Sequence, residues 1–423
     1  VSSPTAWQDA PHVVAAQRRT LRCLVLAQVF GAFGLGASAS VGVLLVQDVV
    51  ASEWWAGIAR TLLTLGAALF GLPLARLAVR RGRRTALGLG WCLAGLGAVV
   101  LVLAAISRSA GLVLGGMTLF GAGTAAQLQS RFTATDLAPP QRRGRTLAMV
   151  VWTGTVGTVV GPNLGVPGTR LAATLGIPDL AGAFVIAAAT SVVAMLVLVL
   201  GLRPDPLLLA RSQEEHDGPV VSRAGVLRTV WAIPAARFAV TAMVASHVSM
   251  VALMTMTPVH MDHEGATLGM VGLTISAHVL GMFAFAPLVG WAGDRFGAVP
   301  VVLAGQAVFA ASGLLTLLVG HEWATISAAL FLLGLGWSCA TVSGSVLLSA
   351  GVPEPVRVPA QGTLDTTMNL LAAAGAFVSG PVFVVLGFSG LAVGVVVLAC
   401  LVALAALPVL GGVQTSTGSR PTS

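Results

Sequence analysis

The sequence predicts an all-α membrane protein, with twelve transmembrane helices in two six-helix, pseudo-symmetric bundles. Three observations predict it. Hydrophobic residues fill 56% of the 423 positions and charged residues only 9%, where a soluble domain carries about a quarter charged. Mean hydropathy is +0.92. Apolar runs of about 20 residues, each able to cross a hydrocarbon layer about 30 Å thick, follow one another with short polar breaks. Marks in the first half also return in the second at a nearly constant offset.

Taken in order, residues 1–20 read as a tail. The first bundle, 21–202, holds spans at 21–46, 54–76, 85–106, 111–135, 145–165 and 180–202. The Arg-flanked first run is too long for a signal-peptide core, so no cleaved leader is expected. Residues 203–236, with "RPDP" and "EEHDG", read as a polar linker with room for one amphipathic helix. The second bundle, 237–411, holds spans at 237–257, 268–291, 299–320, 324–349, 360–386 and 389–411. The tail 412–423, ending "TSTGSRPTS", is expected to be disordered. The 51 glycines and 21 prolines suit membrane helices, which tolerate both.

All 23 basic residues are arginines, and the net charge is +8. Arg18, Arg19, Arg22, the Arg76 to Arg84 loop, Arg142, Arg143, Arg145 and the central linker fall on one side. Only Arg108 and Arg170 fall in the opposite loops. The positive-inside rule then places both termini in the cytoplasm. Because these arginines sit in short loops between spans, they do not form a nucleic-acid patch. The partners expected are the lipid bilayer and a small transported species, with the chain acting as a monomer.

The repeat rests on two marks. Gly82 in "RLAVRRGRRTAL" matches Gly297 in "GWAGDRFGAVPV", 215 positions later, and Gly161-Pro162 matches Gly380-Pro381 at 219. These loops resemble the motif of the major facilitator superfamily: Gly, three residues, Asp, Arg, one residue, Gly, then basic residues. The second copy keeps Gly290, Asp294, Arg295 and Gly297 without the basic pair. The first keeps Arg80, Gly82, Arg83 and Arg84 but has Ala75 and Val79 where Gly and Asp belong. The resemblance implies alternating access, with these loops acting as a latch, and weakens the latch at the first copy. Span 5, "GTVVGPNLG", resembles the Gly- and Pro-containing pattern of drug–proton antiporters in the superfamily. Gly157, Gly161, Pro162 and Gly165 equally suit helix packing and bending.

The stretch "MVALMTMTPVHMDHEG" ends span 7. Met243, His247, Met250 and Met254 recur at intervals of four, three and four, within about 60° of one helix face. Pro258 is expected to end or kink the helix, leaving His260, Asp262 and His263 in an outer loop. On span 8, His278 and Met282 lie four apart. Met250, about 20 Å from the inner side, and His278, about 15 Å from the outer, both fall near the midplane. Thioether and imidazole ligands favour Cu(I), while methionine also fills apolar helices. Met250-x-x-x-Met254 with His278-x-x-x-Met282 resembles the superfamily's copper importers that supply cbb3-type oxidase. That resemblance implies Cu(I) import across a bacterial inner membrane, with copper as cargo and no cofactor. Proton-coupled efflux of a drug or small metabolite is the alternative.

Asp365, inside span 11 with Asn369 one turn on, is the candidate for proton coupling. Arg60 is expected either to attract an anionic solute or to pair with Asp48 or Glu53. Gln127, Gln129 and Arg131 on span 4 either line the path or bond helices together. Asn163 is expected to cap a carbonyl freed by Pro162. Cys23, Cys92, Cys339 and Cys400 show no paired spacing. No P-loop, HExxH or local hydrolase signature points to an enzyme.

Overall fold

The computed structural model describes residues 6–37, 41–50, 58–139, 143–212, 223–319 and 322–407. Among them every regular element is helical. In chain order these are α1 (Pro11–Ala37), α2 (Val43–Val50), α3 (Ile58–Arg81), α4 (Arg83–Ser107), α5 (Ala110–Thr133) and α6 (Arg143–Val160). Next come a 3-10 turn (Gly161–Leu164), α7 (Gly165–Leu175), α8 (Ala181–Gly201), α9 (Pro206–Arg211) and α10 (Arg223–Ala232). The remainder are α11 (Pro234–His263), α12 (Leu268–Phe283), α13 (Ala286–Phe296), α14 (Ala298–Val319), α15 (Trp323–Gly351) and α16 (Glu354–Ala405).

Among the described residues ten helical segments are long and apolar enough to cross a bilayer. Two features reconcile this with twelve spans. The fifth crossing is α6 and α7 with the 3-10 turn between them. The eleventh and twelfth run together in α16, whose backbone leaves the helix only at Gly387 (φ 67, ψ −173). A single glycine thus replaces the expected loop, since that reversal needs a conformation L-residues avoid. The expected tail 412–423 and the "EEHDG" segment lie outside the described residues.

The chain divides into two compact units, residues 1–217 with 265–276, and residues 218–264 with 277–423. In the first, α1 begins ten residues before the apolar run. Val13 and Ala16 pack with Leu137 and Ala210, and Gln17 Nε2 donates to the Ala134 carbonyl at 2.9 Å. Helices α3 and α5 cross at Gly66 and Gly121, where any Cβ would strike the facing backbone at Thr118 or Leu63. Small residues at the crossing let dispersion act between backbones, the main source of helix association where lipid is as apolar as the core. Leu69, Leu72 and Leu200 remain 61% exposed, an apolar surface that suits lipid and not water.

The linker yields two short helices instead of one. Asp205 caps α9, accepting from the Leu207 and Leu208 amides. Val226 and Val230 of α10 pack in the second unit with Ala239, Met243 and Leu364. In that unit, Gln306 Nε2 of α14 donates to Ser246 Oγ of α11 at 3.0 Å. Ser312 Oγ of α14 donates to the Ala329 carbonyl of α15 at 2.6 Å.

Candidate functional site

The repeated loops have matching backbones. Gly82 sits at φ 89, ψ 166 between α3 and α4, and Gly297 at φ 91, ψ 152 between α13 and α14. Only glycine adopts this region readily. The first loop recruits carboxylates from elsewhere in its unit to make up for Val79. Arg83 forms an ion pair with Asp136 at 2.9 Å, the side chains 15% and 10% exposed, and a second contact at 3.2 Å makes the pair bidentate. Asp205 Oδ2 accepts the Arg84 amide at 2.8 Å, and Arg211 donates to the Val79 carbonyl. Arg80 is exposed. In the second loop Asp294 is exposed, Gly290 has open space beside it, and Arg295 lies over the rings of Trp291 and Phe296.

Asp136 and Asp205 were missed at the level of sequence. Asp205 had a signal, since an Asp just before a Pro is a common helix start; Asp136 had none. Asp136→Asn should lower stability by about 1–3 kcal/mol, because the bidentate pair is mostly buried. Asp48→Asn, which breaks the exposed Arg108–Asp48 pair, should cost less than about 1 kcal/mol. Thermal unfolding of the two purified variants checks this contrast.

Two glycines of the span 5 motif sit at a close approach to α1. A Cβ on Gly157 would lie 2.6 Å from Ala32 Cβ and from the Val29 carbonyl. One on Gly161 would lie 2.7 Å from Gly36 Cα and the Phe33 carbonyl. Gly165 has ordinary contact distances. At Pro162 the helix tightens into the 3-10 turn, which frees the Val159 carbonyl. Asn163 Nδ2 donates to it at 3.2 Å, and Ser276 Oγ also donates to it.

The methionine and histidine residues sort differently from a ladder. Helix α11 does not end at Pro258 but continues to His263, because a proline removes only one bond from a helix otherwise held on both sides. His260, Asp262 and His263 are therefore its last turn, not a loop. His260 stacks on Phe388 at 4.2 Å and His263 tilts against Phe383 at 5.9 Å; Asp262 is exposed. Met243 is fully buried in the α10–α11 core, touching Gly344 and Ser345 Oγ. Met250 and Met254 are buried as well.

Both intramembrane histidines reach α15. His278 is fully buried, with Nδ1 at 2.8 Å from the Leu330 carbonyl. A carbonyl only accepts, so Nδ1 carries the proton and Nε2 the lone pair. Around it α12 crosses α15 closely. Gly334 faces the His278 carbonyl and the Met282 amide, and Gly281 faces the Phe331 carbonyl. Met282 is half-buried. His247 Nδ1 accepts from Trp337 Nε1 at 3.0 Å. Phe283 meets Trp337 edge-on, with centroids 5.9 Å apart. Leu330 and Trp337 lie two turns apart on one side of α15, about 10 Å along its axis. The structure thus gathers His247, Phe283 and Trp337, of which sequence reasoning named only His247. Aromatic residues in apolar helices offer no periodic signal to mark them.

Asp365 is half-buried eleven residues into α16, about 16 Å along the helix, and Asn369 Nδ2 donates to its carbonyl at 2.7 Å. Arg60 does not pair with Asp48, which Arg108 holds; Glu53 lies outside the described residues. Arg60 Nε is sealed from solvent without a hydrogen-bond partner. Gln129 bonds helices together through the Gly71 carbonyl, whereas Gln127 approaches Gly154. Arg131 lies over Phe132. The four cysteines are free thiols.

Comparison with known proteins places this geometry. The Major Facilitator Superfamily model matches residues 24–269 and 242–421. The uncharacterized MFS-type transporter YddS of Bacillus subtilis (strain 168) is 36% identical over 392 residues, 88% of each chain. The riboflavin transporter RfnT of Brucella anthropi is 31% identical, covering 86% of this chain and 89% of its own. The crystal structure of the nucleoside transporter NupG shares the fold, at TM-score 0.70 and 14% identity over 94% of this chain and 98% of that one. With a family model matching both halves and relatives aligned along nearly the whole length, the chain belongs to the Major Facilitator Superfamily, as a multi-pass membrane protein of the secondary transporter class.

Proposed function

We propose that the chain carries a small organic solute with a planar ring across a bacterial inner membrane by alternating access, both termini being cytoplasmic. One observation carries this reading. Trp337 is only partly buried, and its indole is held in place by the hydrogen bond to His247 and the edge of Phe283. A positioned indole binds planar rings by stacking, worth about 1–3 kcal/mol for a nucleic-acid base. The likeness to a riboflavin transporter supports the same class of cargo.

Cu(I) import is the second reading. The His278 tautomer favours it, because a histidine that donates Nδ1–H to a carbonyl presents Nε2 as a ligand. Three placements weigh against it. Met243 is packing, His247 Nδ1 is occupied by the Trp337 indole, and of the outer histidines His260 stacks on Phe388 while His263 tilts against Phe383.

A ligand that binds only the folded state at 100 times its Kd stabilises by about 2.7 kcal/mol. The purified protein should therefore unfold at higher temperature with riboflavin or uridine than without, and Cu(I) should not match them. A shift with Cu(I) alone would exchange the two readings.

Proton coupling is assigned to Asp365. A carboxylate inside a span is retained at a cost, and substrate pathways and proton relays are where such groups occur. Asp365→Asn keeps the shape and removes the titration. Gradient-driven accumulation should fall to the level of simple equilibration, while solute exchange across the membrane at equal pH persists. Normal accumulation by this variant under a proton gradient would make Asp365 structural.

A further inference from the structure

The polar linker ends in a helix that packing covers on one side only. In α10, Val226 and Val230 form the buried stripe, set among Ala236 at the start of α11, Leu348 and Val352 at the end of α15 and Ala360 near the start of α16. These contacts lie at one end of the second unit. Only Ile233 separates α10 from α11, so α10 sits at the level where these spans leave the membrane. Beside the buried stripe, Leu227 and Trp231 are 44% and 50% exposed. Four residues apart, they point within about 40° of each other. Arg228 lies about 60° further round, opposite the valines, and is exposed, as is Arg237 in the first turn of α11. Among the described residues neither arginine has an ion-pair partner. From Arg223 to Arg237 the chain has three arginines and no acidic residue.

We propose that α10 seats its uncovered side in the headgroup layer of the membrane and binds anionic lipid. Leu227 and Trp231 meet the headgroup ends of the acyl chains, and Arg228 and Arg237 pair with lipid phosphates. A helix at this level has three surroundings, which are protein, the hydrocarbon edge and headgroups. The side chains of α10 divide in the same order around its axis, as valines, then Leu and Trp, then arginine. In water the leucine and the indole would lie side by side uncovered, a loss that seating in the interface removes. Tryptophan suits that boundary, because its ring is apolar and its N–H reaches polar groups. Guanidinium forks match phosphate oxygens, and positive charge without acidic neighbours selects an anionic surface. Lipid is the occupant, not an acidic protein, because the arginines adjoin an apolar pair on a helix already at the bilayer edge. The inference rests on the fold and is independent of the cargo.

The test uses the full chain in nanodiscs of phosphatidylcholine alone or with an equal part of phosphatidylglycerol. Two readouts apply, amide hydrogen exchange across α10 and quenching of tryptophan fluorescence. The Trp231 signal is the difference between the wild type and Trp231→Phe. It should be quenched by lipids brominated on the acyl chains and not by iodide in the water. Exchange across α10 should slow in the phosphatidylglycerol discs by about fivefold for each arginine engaged, and added salt should reverse the slowing. The double variant Arg228→Gln, Arg237→Gln should lose the phosphatidylglycerol effect, yet keep the quenching by brominated chains and its unfolding temperature in detergent. Quenching of Trp231 by iodide alone would place α10 in water, and quenching by neither agent would place protein against it; either overturns the proposal. Equal exchange in the two kinds of disc, or an undiminished phosphatidylglycerol effect in the double variant, would overturn the binding of anionic lipid by these arginines.

Discussion

Gly161→Val is expected to abolish accumulation of folded protein in the membrane. The added Cβ would lie 2.7 Å from Gly36 Cα and from the Phe33 carbonyl. The obstacle is backbone on both counts, so no rotamer change relieves it. Overpacking of side chains costs about 1–3 kcal/mol and more where nothing yields; here the α1 crossing must open, so about 3 kcal/mol or more is at stake. The series is graded. Gly161→Ala should be strongly destabilised, and Gly157→Ala similarly, with its Cβ 2.6 Å from Ala32 and the Val29 carbonyl. Gly165→Ala, at 3.5 Å from its neighbours, should fold like the parent. Detergent-extracted yield and unfolding temperature measure all four. Full stability of Gly161→Val would mean that the span 5 motif serves transport and not packing.

Trp337→Ala is expected to cut transport of a planar solute by about 5- to 150-fold, with the fold retained. The range follows from about 1–3 kcal/mol for stacking on one ring. Loss of the indole also leaves His247 without the donor that sets its ring, so a control is needed. Trp337→Phe keeps a stacking face and removes the N–H, and should recover most of the activity. His247→Ala leaves the indole N–H without its acceptor and should fall between the two. Initial uptake rates, normalised to protein in the membrane, order the variants. Equal loss in Trp337→Ala and Trp337→Phe would give the N–H, not the ring, the recognising role.

Much of the fold was legible because lipid imposes it. Satisfying backbone groups inside a bilayer requires helices, and the length of each apolar run set the crossings. Gly82 and Gly297 predicted their own equivalence, since few backbone states demand glycine and both adopt the same one. The joints were harder. The Gly387 reversal and the continuation of α11 through Pro258 depend on neighbours packed from distant sequence. The site was the least legible. A face of Met243, His247, Met250 and Met254 was correct as helix geometry, yet the partners of its members lie on α10 and α15. Periodicity states which residues share a face and not what that face meets. Trp337 and Phe283 became candidates only when packing showed an indole bonded to His247 and edged by Phe283.

The central claim is that the cargo is a planar organic solute and not a metal ion. Proteoliposomes containing only this chain, preloaded with unlabelled riboflavin, test it most directly. They should take up radiolabelled riboflavin from outside by exchange, and unlabelled uridine should compete while Cu(I) does not. Uptake of radioactive copper with no riboflavin exchange would contradict the account and return the weight to His278 and the buried methionines.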